Sequence, residues 1–358
     1  MASEDLESLR RKIDGLDEQL VRLLNDRAKV VVEIGKLKQQ SNTPVYAPDR
    51  EKAVLDRIRA INAGPLPARA MEAIWRELMS GSFALEKQLR IGFLGPEGSF
   101  SHAASVAKFG SSVQYAPLTD IPAVFDQVIR GHIDLGLVPV ENSIHGGVVD
   151  TLDAFLTTPA KICAEVLITI HHNLLAKEPW DQVRRIYSKP EVFSQCRNWL
   201  AAMAKERDIQ PAASTSAAAE LAEKETASAA IGSAIAAERY NLHVLFENIE
   251  DNPNNTTRFV VIGRQEVARS GRDKTAFVMS TRNRPGAIHE LLAPLAEHGV
   301  SMTRLESRPS RTGMWEYVFF VDVEGHEQDP PVAAALEGLR ARAAFLKILG
   351  SFPAAGLA

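Results

Sequence analysis

The start of the chain carries a heptad seam, and this feature most constrains the fold. Apolar side chains recur there at alternating spacings of three and four residues, which places them on one stripe of a single long helix. The stripe consists of Leu6, Leu9, Ile13, Leu16, Leu20, Leu23, Arg27, Val30, Ile34 and Leu37. A helix over residues 5–40 would be ~54 Å long, too long to cover its own stripe. The pattern therefore predicts partner helices, and a second copy of the chain is an economical source.

Two shorter helices follow, and with the first they predict an all-helical domain over residues 1–89. The second fits Pro48–Ile61, and the third fits residues 66–89 after a GPLP break. Apolar residues recur on one side of the third helix, at Met71, Ile74, Trp75, Leu78 and Met79.

One stripe position, Arg27, holds a cation instead of an apolar side chain. A buried guanidinium without an anion is destabilising by several kcal/mol, even after relaxation. A salt bridge within the chain, to Glu33 or Glu51, is one interpretation. An anionic ligand is the other, and Arg27 alone does not decide between them.

Two further cations, Arg10 and Lys38, lie on the row beside the stripe. They are ~42 Å apart along a helix axis, and Arg10 is ~25 Å from Arg27. No small molecule spans these distances on one helix. In an antiparallel pair, however, Arg10 of one chain reaches the region between Arg27 and Lys38 of the other. The spacing predicts two symmetric cationic pockets that close only in a homodimer.

The segments LRRKID, LLNDRAKVVVEIGKLK and PDRE resemble the all-helical chorismate mutases over residues 4–89. The resemblance implies an intertwined homodimer that rearranges the dianion chorismate to prephenate without a cofactor. The protein holds the reactive conformer and stabilises charge on the breaking ether oxygen. The chorismate-binding positions implied by the resemblance are Arg10, Arg27, Lys38, Arg50, Glu51, Ser82 and Glu86.

The resemblance also implies roles for these side chains. Arg10 of the partner subunit, Arg27 and Arg50 bind carboxylates, and Ser82 lines the pocket. Lys38 donates to the ether oxygen, and Glu51 accepts from the ring hydroxyl. Two positions depart from the bacterial pattern. Ala47 stands where an aspartate often occurs, and Glu86 stands where a glutamine often donates to the ether oxygen. A carboxylate donates only when protonated, and an exposed position on the last helical turn is the alternative for Glu86.

Residues 90–265 alternate short β-branched runs with helical stretches, which predicts an α/β domain. Strands fit residues 91–94, 135–140, 184–188 and 259–262. Polar loops adjoin them: GPEGSFSHAA, with Ser99 and Ser101 as possible helix caps, ENSIHGG, SKPEVFSQC and NPNNTTRF. Each loop alone is more simply a solvated turn. Four at strand ends predict a ligand cleft.

The ENS and TRF motifs together resemble the prephenate dehydratases over residues 90–265. The resemblance implies two α/β lobes, similar to periplasmic type II binding proteins, with the chain leaving the first lobe near Ile168 and completing the second near Leu245. It implies that Thr257 donates to the departing hydroxyl and that Arg258 clamps a carboxylate or supports the site. Lys189 and Glu191 replace the usual His and Gln. The implied prephenate-binding positions are Glu141, Asn142, Ser143, Ser188, Gln195, Thr257, Arg258 and Phe259.

After a charged stretch over residues 264–274, which predicts a linker, residues 275–358 fit a small α+β module. Strands fit residues 275–281, 301–308, 316–323 and 345–351, and helices fit residues 287–298 and 331–344. This βαββαβ order is ferredoxin-like. The segments NRPGAI, which starts at Asn283, and TRLESRP resemble the ACT domains. That resemblance implies L-phenylalanine as an allosteric inhibitor at Pro285, Gly286, Ala287, Ile288, Leu305, Glu306, Ser307 and Arg308.

Composition excludes other classes of protein. A formal net charge of −4 argues against nucleic-acid binding, and no apolar run approaches the ~20 residues of a membrane span. The start of the chain lacks a secretory signal, so a cytoplasmic location is expected. Cys163 and Cys196 lack the spacing of a metal site. His171 and His172 would face opposite sides of a strand, so no metal is expected.

Two rival functions remain on sequence alone. One is a non-catalytic protein that binds an amino acid or organic acid, because two-lobed α/β folds also serve as binding proteins. The other is a prephenate dehydratase whose helical segment only dimerises. The cations Arg10, Arg27, Lys38 and Arg50 weigh against the second.

Overall fold

The helical domain contains the three predicted helices. The computed structural model describes residues 6–41, 43–282, 284–310 and 317–355. The helices are α1 (Leu6–Ser41), α2 (Pro48–Ile61) and α3 (Ala68–Glu86). The third begins two residues later than predicted, because a residue before a proline disfavours the helical backbone and Pro67 is the extended N-cap. The predicted positions Asp5, Asn283 and Glu316 lie outside the described residues.

The long helix α1 buries one face and leaves the heptad stripe uncovered. Val31 and Gly35 are its buried residues. A Cβ on Gly35 would lie 3.2 Å from Cα of Glu86, so glycine allows α3 to approach closely. Leu6, Leu23 and Leu37 are 65%, 66% and 64% exposed. The described residues of a single chain therefore leave most of this stripe uncovered.

The central part of the chain forms two α/β lobes. Its strands are β1 (Arg90–Leu94), β2 (Gln114–Leu118), β3 (Leu135–Asn142), β4 (Gly146–Gly147), β5 (Lys161–Thr169), β6 (Asn173–Ala176), β7 (Arg185–Ser188), β8 (Asp208–Pro211), β9 (Ser228–Gly232), β10 (His243–Phe246) and β11 (Thr256–Gly263). Its helices are α4 (Phe100–Phe109), α5 (Ile121–Ile129), α6 (Val149–Thr157), α7 (Pro190–Gln195), α8 (Arg197–Met203), α9 (Thr215–Lys224) and α10 (Ala234–Arg239).

The chain crosses between the lobes twice. The first sheet has the order β2-β1-β3-β11-β5, with β4 on β3, and the second has the order β10-β6-β9-β7-β8. The chain leaves the first lobe after β5 and returns as β11, antiparallel to both neighbours. The predicted exit near Ile168 and return for TRF are confirmed. The predicted start of the last strand at Phe259 is wrong, because Thr257 and Arg258 already pair with β3 and β5.

The C-terminal module has the predicted βαββαβ order. Its elements are β12 (Asp273–Ser280), α11 (Ala287–Glu297), β13 (Met302–Pro309), β14 (Tyr317–Glu324), α12 (Pro330–Arg342) and β15 (Phe345–Pro353). The sheet order β13-β14-β12-β15 is ferredoxin-like. The stretch predicted as a linker is packed: Val267 is 7% exposed, and the Gln265 side chain donates to the Tyr46 carbonyl at 2.7 Å.

The three parts share hydrophobic cores. On one face of the first sheet, Tyr46 and Leu89 of the helical domain pack with Phe109 and Phe259. The core that contains Phe125 of α5 and Phe155 of α6 also contains Phe320 and Phe352 of the C-terminal module. Each fully buried side chain of this size contributes about 1.5–3 kcal/mol. The helical domain and the C-terminal module are therefore fixed against the first sheet.

No helix within the described ranges is long and apolar enough to cross a membrane. Nor do the described residues include a group of three or more metal-ligating side chains. His171 and His172 have separate partners: His171 contacts Glu250 at 2.7 Å, and His172 contacts Gln195 at 2.6 Å.

Candidate active sites

In the helical domain, Lys38 and Glu86 meet. Lys38 Nζ lies 2.9 Å from a carboxylate oxygen of Glu86, and the two side chains are 22% and 9% exposed. Lys38 also donates to the Val45 carbonyl at 3.0 Å. Glu86 therefore points inward beside Lys38, rather than outward from the last helical turn. The close approach at Gly35 brings the two helices together here.

Arg27 contacts a hydroxyl group instead of an acid. Its Nη1 donates to Ser82 Oγ at 2.7 Å, and Ser82 in turn donates to the Leu78 carbonyl at 2.7 Å. Within the described residues, Arg27 pairs with neither Glu33 nor Glu51, so the predicted salt bridges do not form. The guanidinium has five N–H donors, and this arrangement leaves it suited to an anion.

Arg10 and Arg50 are exposed in the single chain. Arg10 lies ~25 Å along α1 from Arg27, so one chain does not bring it to the pocket. Arg50 precedes Glu51 on α2. The carboxylate of Glu51 pairs with Lys108 of α4 at 2.8 Å, a contact that the sequence did not indicate.

In the first lobe, Asn142 joins the ENS and TRF motifs. Its Nδ2 donates to Thr257 Oγ1 at 2.9 Å and to Asn255 Oδ1 at 2.8 Å. Its Oδ1 accepts from the backbone N–H groups of Ile144 and His145 at 3.0 and 3.1 Å. Because Thr257 accepts from Asn142, its own hydroxyl proton remains available for another acceptor.

Ser143 joins the same two segments. Its hydroxyl accepts from the Thr256 N–H at 3.0 Å and donates to the Asn254 carbonyl at 3.3 Å. Ser143 therefore positions the two loops, and it does so through backbone groups.

A chain of side chains connects the two lobes. His172 is buried, and this burial lowers its pKa, so the neutral ring donates through Nε2 to Gln195 Oε1. The Gln195 amide then donates to His145 Nε2 at 3.1 Å. Sequence reasoning did not select His145, although it lies within ENSIHGG, and considered His172 only as a metal ligand. Their positions at strand ends were the available signal.

The glycine-rich GPEGSFSHAA segment also lies between the lobes. Ser99 caps α4 as predicted, accepting from the His102 N–H at 3.2 Å, whereas Ser101 lies inside the helix. Ser233 of the second lobe donates to the Gly98 carbonyl at 2.8 Å, which fixes this turn against the opposite lobe.

Ser188 and its neighbours form the second lobe's side of the cleft. Ser188 is fully buried and donates to the Ile231 carbonyl at 2.8 Å, so it supports the strand end. Lys189 and Glu191 lie on the rim, with Lys189 Nζ 3.9 Å from Glu191 Oε2.

Arg258 and Phe259, which were predicted to bind prephenate, do not line the cleft. Arg258 points to the opposite face of β11 from Thr257, because neighbouring strand residues alternate. It donates to Glu165 at 2.8 Å and contacts Asp322 of the C-terminal module. Burial lowers the pKa of Arg258, but Asp322 and Glu165 outweigh it and the net pKa is raised. Phe259 is 2% exposed and belongs to the hydrophobic core.

Glu141 faces the C-terminal module. Its carboxylate lies 3.3 Å from Arg304 Nε and 4.0 Å from Arg258 Nη1. It follows Val140 and precedes Asn142, so one strand end carries both a contact with the C-terminal module and the residue that holds Thr257.

The predicted phenylalanine-binding residues divide between two faces of the module. Leu305 and Ser307 are exposed on β13, and Pro285, Gly286 and Ile288 are exposed near the start of α11. In contrast, the buried Ala287 lies in the module's interior. Gly286 has φ +78° as the N-cap of α11, a conformation that favours glycine.

Alternation along β13 turns Glu306 and Arg308 inward. Glu306 pairs with Arg304, and a Cβ on Gly147 would collide with its carboxylate. Arg308 lies 3.5 Å from Asp153 of α6. These two residues therefore contact the dehydratase-like lobe, because residues two apart on a strand share a face.

Comparison with known proteins identifies all three parts. Family models match residues 9–87 as chorismate mutase type II, residues 91–267 as prephenate dehydratase and residues 275–341 as ACT domain. A protein of Stutzerimonas stutzeri named bifunctional chorismate mutase/prephenate dehydratase is 45% identical, and the match covers 99% of each chain.

Two solved structures each match about three quarters of this chain. The prephenate dehydratase of Arthrobacter aurescens in complex with L-Phe is 35% identical, with a TM-score of 0.69 over 74% of this chain and 90% of that one. GqqA, described as a novel type of quorum quenching acylase, is 30% identical with a TM-score of 0.68, over 74% and 98% of the two chains. From its full-length relative and its three matched domains, this chain belongs to the bifunctional chorismate mutase/prephenate dehydratase family.

Proposed function

We propose that this chain rearranges chorismate to prephenate at the Arg27–Lys38 pocket and converts prephenate to phenylpyruvate at the Asn142–Thr257 cleft. The observation that carries the proposal is the separation of two built polar clusters. A cavity of about 590 Å³ beside the first is lined by Lys38 and by Leu135, where β3 begins. Asn142 ends β3, and eight strand residues span roughly 25 Å.

The mutase reaction needs a homodimer. The exposed stripe of α1 packs against the same stripe of a second copy, which removes large apolar surface from water. Arg10 of the partner subunit then joins Arg27 and Arg50 in binding the two carboxylates of chorismate. Lys38 donates to the ether oxygen, and Glu86 adds a second donor when it is protonated. The reaction is pericyclic, so positioning and charge stabilisation supply the catalysis.

The dehydratase reaction needs help mainly for the departing hydroxyl. The bond to the carboxylate breaks as CO2 leaves, its electron pair enters the ring, and the C4–O bond breaks. The departing hydroxide takes up a proton from solvent to become water, and the ring becomes aromatic. Asn142 directs the proton of Thr257 toward this hydroxyl. Thr257 acts as a hydrogen-bond donor, because a threonine hydroxyl is a very weak acid.

L-phenylalanine inhibits the dehydratase through the C-terminal module. It binds the exposed side chains of Ile288, Leu305 and Ser307, while the opposite face of β13 contacts the first lobe through Arg304 and Glu306. A ligand shifts such an equilibrium only by binding one state more tightly. The structure therefore favours Leu305 over Glu306 as the direct ligand contact.

We also place the protein in the cytoplasm. Cys163 and Cys196 are free and buried thiols, which suits a reducing compartment. Burial raises the pKa of each to about 12, so both stay protonated.

A product time course from chorismate, with and without L-phenylalanine, tests the whole proposal. Prephenate should appear first and phenylpyruvate second, and phenylalanine should suppress the second. A protein that consumes prephenate but leaves chorismate untouched would instead be a dehydratase with a purely dimerising helical domain. Binding of chorismate without turnover would show that the chain is a non-catalytic binding protein.

A further inference from the structure

Lys108, a residue of the dehydratase domain, pairs with Glu51, which is one of the residues proposed for the mutase site. Lys108, in the last turn of α4, lies with its Nζ 2.8 Å from a carboxylate oxygen of Glu51 on α2. The two side chains are 18% and 11% exposed, so water screens this ion pair poorly. The two residues are 57 positions apart in the chain and belong to different domains.

Aromatic packing fixes the end of α4 at this place. The Tyr46 ring is 3% exposed and lies 5.3 Å from the ring of Phe109, which follows Lys108. Lys108 Nζ lies 5.9 Å from the centre of the Tyr46 ring. The Phe83 ring of α3 lies 6.1 Å from the same Tyr46 ring. The lysine therefore stands on a rigid, mostly buried platform rather than on a mobile surface.

The negative charges near the pocket require a cation such as Lys108. Glu51 and Glu86 are acidic, and the proposed substrate carries two further negative charges. Lys38 pairs with Glu86. Without a cation of its own, Glu51 would be an uncompensated carboxylate beside a dianion, and like charges at close range repel each other.

We propose that Lys108 is a positioning residue for the mutase reaction, an inference that rests on the proposed role of Glu51. Lys108 holds Oε2 of Glu51, and in this role the other carboxylate oxygen accepts from the ring hydroxyl of the substrate. It also offsets the repulsion between Glu51 and the substrate carboxylates. The mutase site of this chain is therefore completed by a residue from the dehydratase domain.

The test uses the full-length protein with Lys108→Met, which keeps most of the unbranched side chain and removes its charge. The kcat/KM for chorismate should fall about tenfold, mainly through a higher KM, because one partner of a shielded ion pair is lost. Lys108→Arg should recover most of this loss. Dehydratase turnover of added prephenate should match wild type, which also shows that the variant is folded.

A matched control weakens the same domain contact without touching Glu51. Glu77 of α3 accepts from the Ser111 N–H at 3.0 Å and from its hydroxyl at 2.7 Å, just beyond α4. Glu77→Gln should leave mutase kinetics within twofold of wild type. An equal loss in both variants would overturn the inference, because it would show a general effect of the interface.

A double-mutant cycle separates this inference from the proposed function. On a Glu51→Gln background, Lys108→Met should cause little further loss, since the two residues act together. A full additional loss would overturn the role of Lys108. Wild-type mutase activity in Glu51→Gln alone would overturn the role of Glu51. A loss in Glu51→Gln with wild-type kinetics in Lys108→Met would overturn this inference and leave the proposed function standing.

Discussion

The two proposed catalytic regions of this chain differ in how much of each site one chain supplies. Asn142, Thr257, His145 and Gln195 meet within one chain through hydrogen bonds of 2.9 and 3.1 Å. In the helical domain, Arg10 lies far from Arg27 and the apolar stripe is uncovered. One chain can form a cleft between its own lobes, whereas we expect the pocket beside the long helix to need a second helix from another copy.

The largest expected effect is the loss of dehydratase activity when Thr257 is replaced. Thr257→Ala should reduce phenylpyruvate formation about a thousandfold, because the departing hydroxyl loses its donor. Prephenate should accumulate from chorismate at the wild-type rate, which a coupled time course measures. If prephenate formation also stops, the two regions do not hold separate sites. Ser194→Ala, at an exposed hydroxyl of α7, is the control.

The next effect lies on the mutase side. Arg27→Met should lower mutase activity at least a hundredfold, because a substrate carboxylate loses the guanidinium that binds it. The dimer should persist or become more stable, since an apolar residue suits the stripe. Size-exclusion chromatography and a prephenate assay measure both. A variant that dissociates, yet is active in its remaining dimers, would show that Arg27 is structural.

A smaller effect concerns the C-terminal module. Leu305→Ala should weaken L-phenylalanine binding about fivefold, because an exposed apolar contact is removed, and inhibition should weaken in parallel. Met302→Ala, at a residue 40% exposed near the start of the same strand, is the control. Calorimetry and dehydratase inhibition curves give the two numbers. Unchanged inhibition in Leu305→Ala would exclude this face of β13 as the binding surface for L-phenylalanine.

The smallest effect concerns Glu86. Glu86→Gln replaces the carboxylate beside Lys38 with an amide that can donate to the ether oxygen, so kcat/KM for chorismate should rise about twofold. Prephenate assays measure this change, and dehydratase activity should stay near wild type. A loss of mutase activity would instead mean that Glu86 acts by orienting Lys38, as its 2.9 Å contact with that lysine also permits.

Much of the fold could be predicted because its signals are local. The three-four spacing predicted α1, and the apolar runs predicted β1, β3 and the βαββαβ order. The direction of Arg258 could not be predicted, because it depends on where β11 begins. A strand starting at Thr256 sends Thr257 to one face and Arg258 to the other.

The candidate sites show the same division. The ENS and TRF motifs predicted that Asn142 and Thr257 belong to one site. In the structure, Asn142 Nδ2 lies 2.9 Å from Thr257 Oγ1. The pairing of Glu51 with Lys108 has no local signal, since neither residue departs from a common pattern in its own segment. Glu306 was expected to face a ligand, but strand alternation turns it inward. The sequence did not predict the contacts between domains.

The shared cores have a consequence for anyone who wishes to cut this protein into single-activity pieces. A fragment starting at Arg90 would lose Tyr46 and Leu89 from one face of its sheet, and removing the C-terminal module would uncover Phe125 and Phe155 on the other. Newly bared apolar patches promote aggregation. We expect such fragments to need solubilising substitutions at these faces, so excision here is a redesign of two surfaces rather than a choice of two cut points.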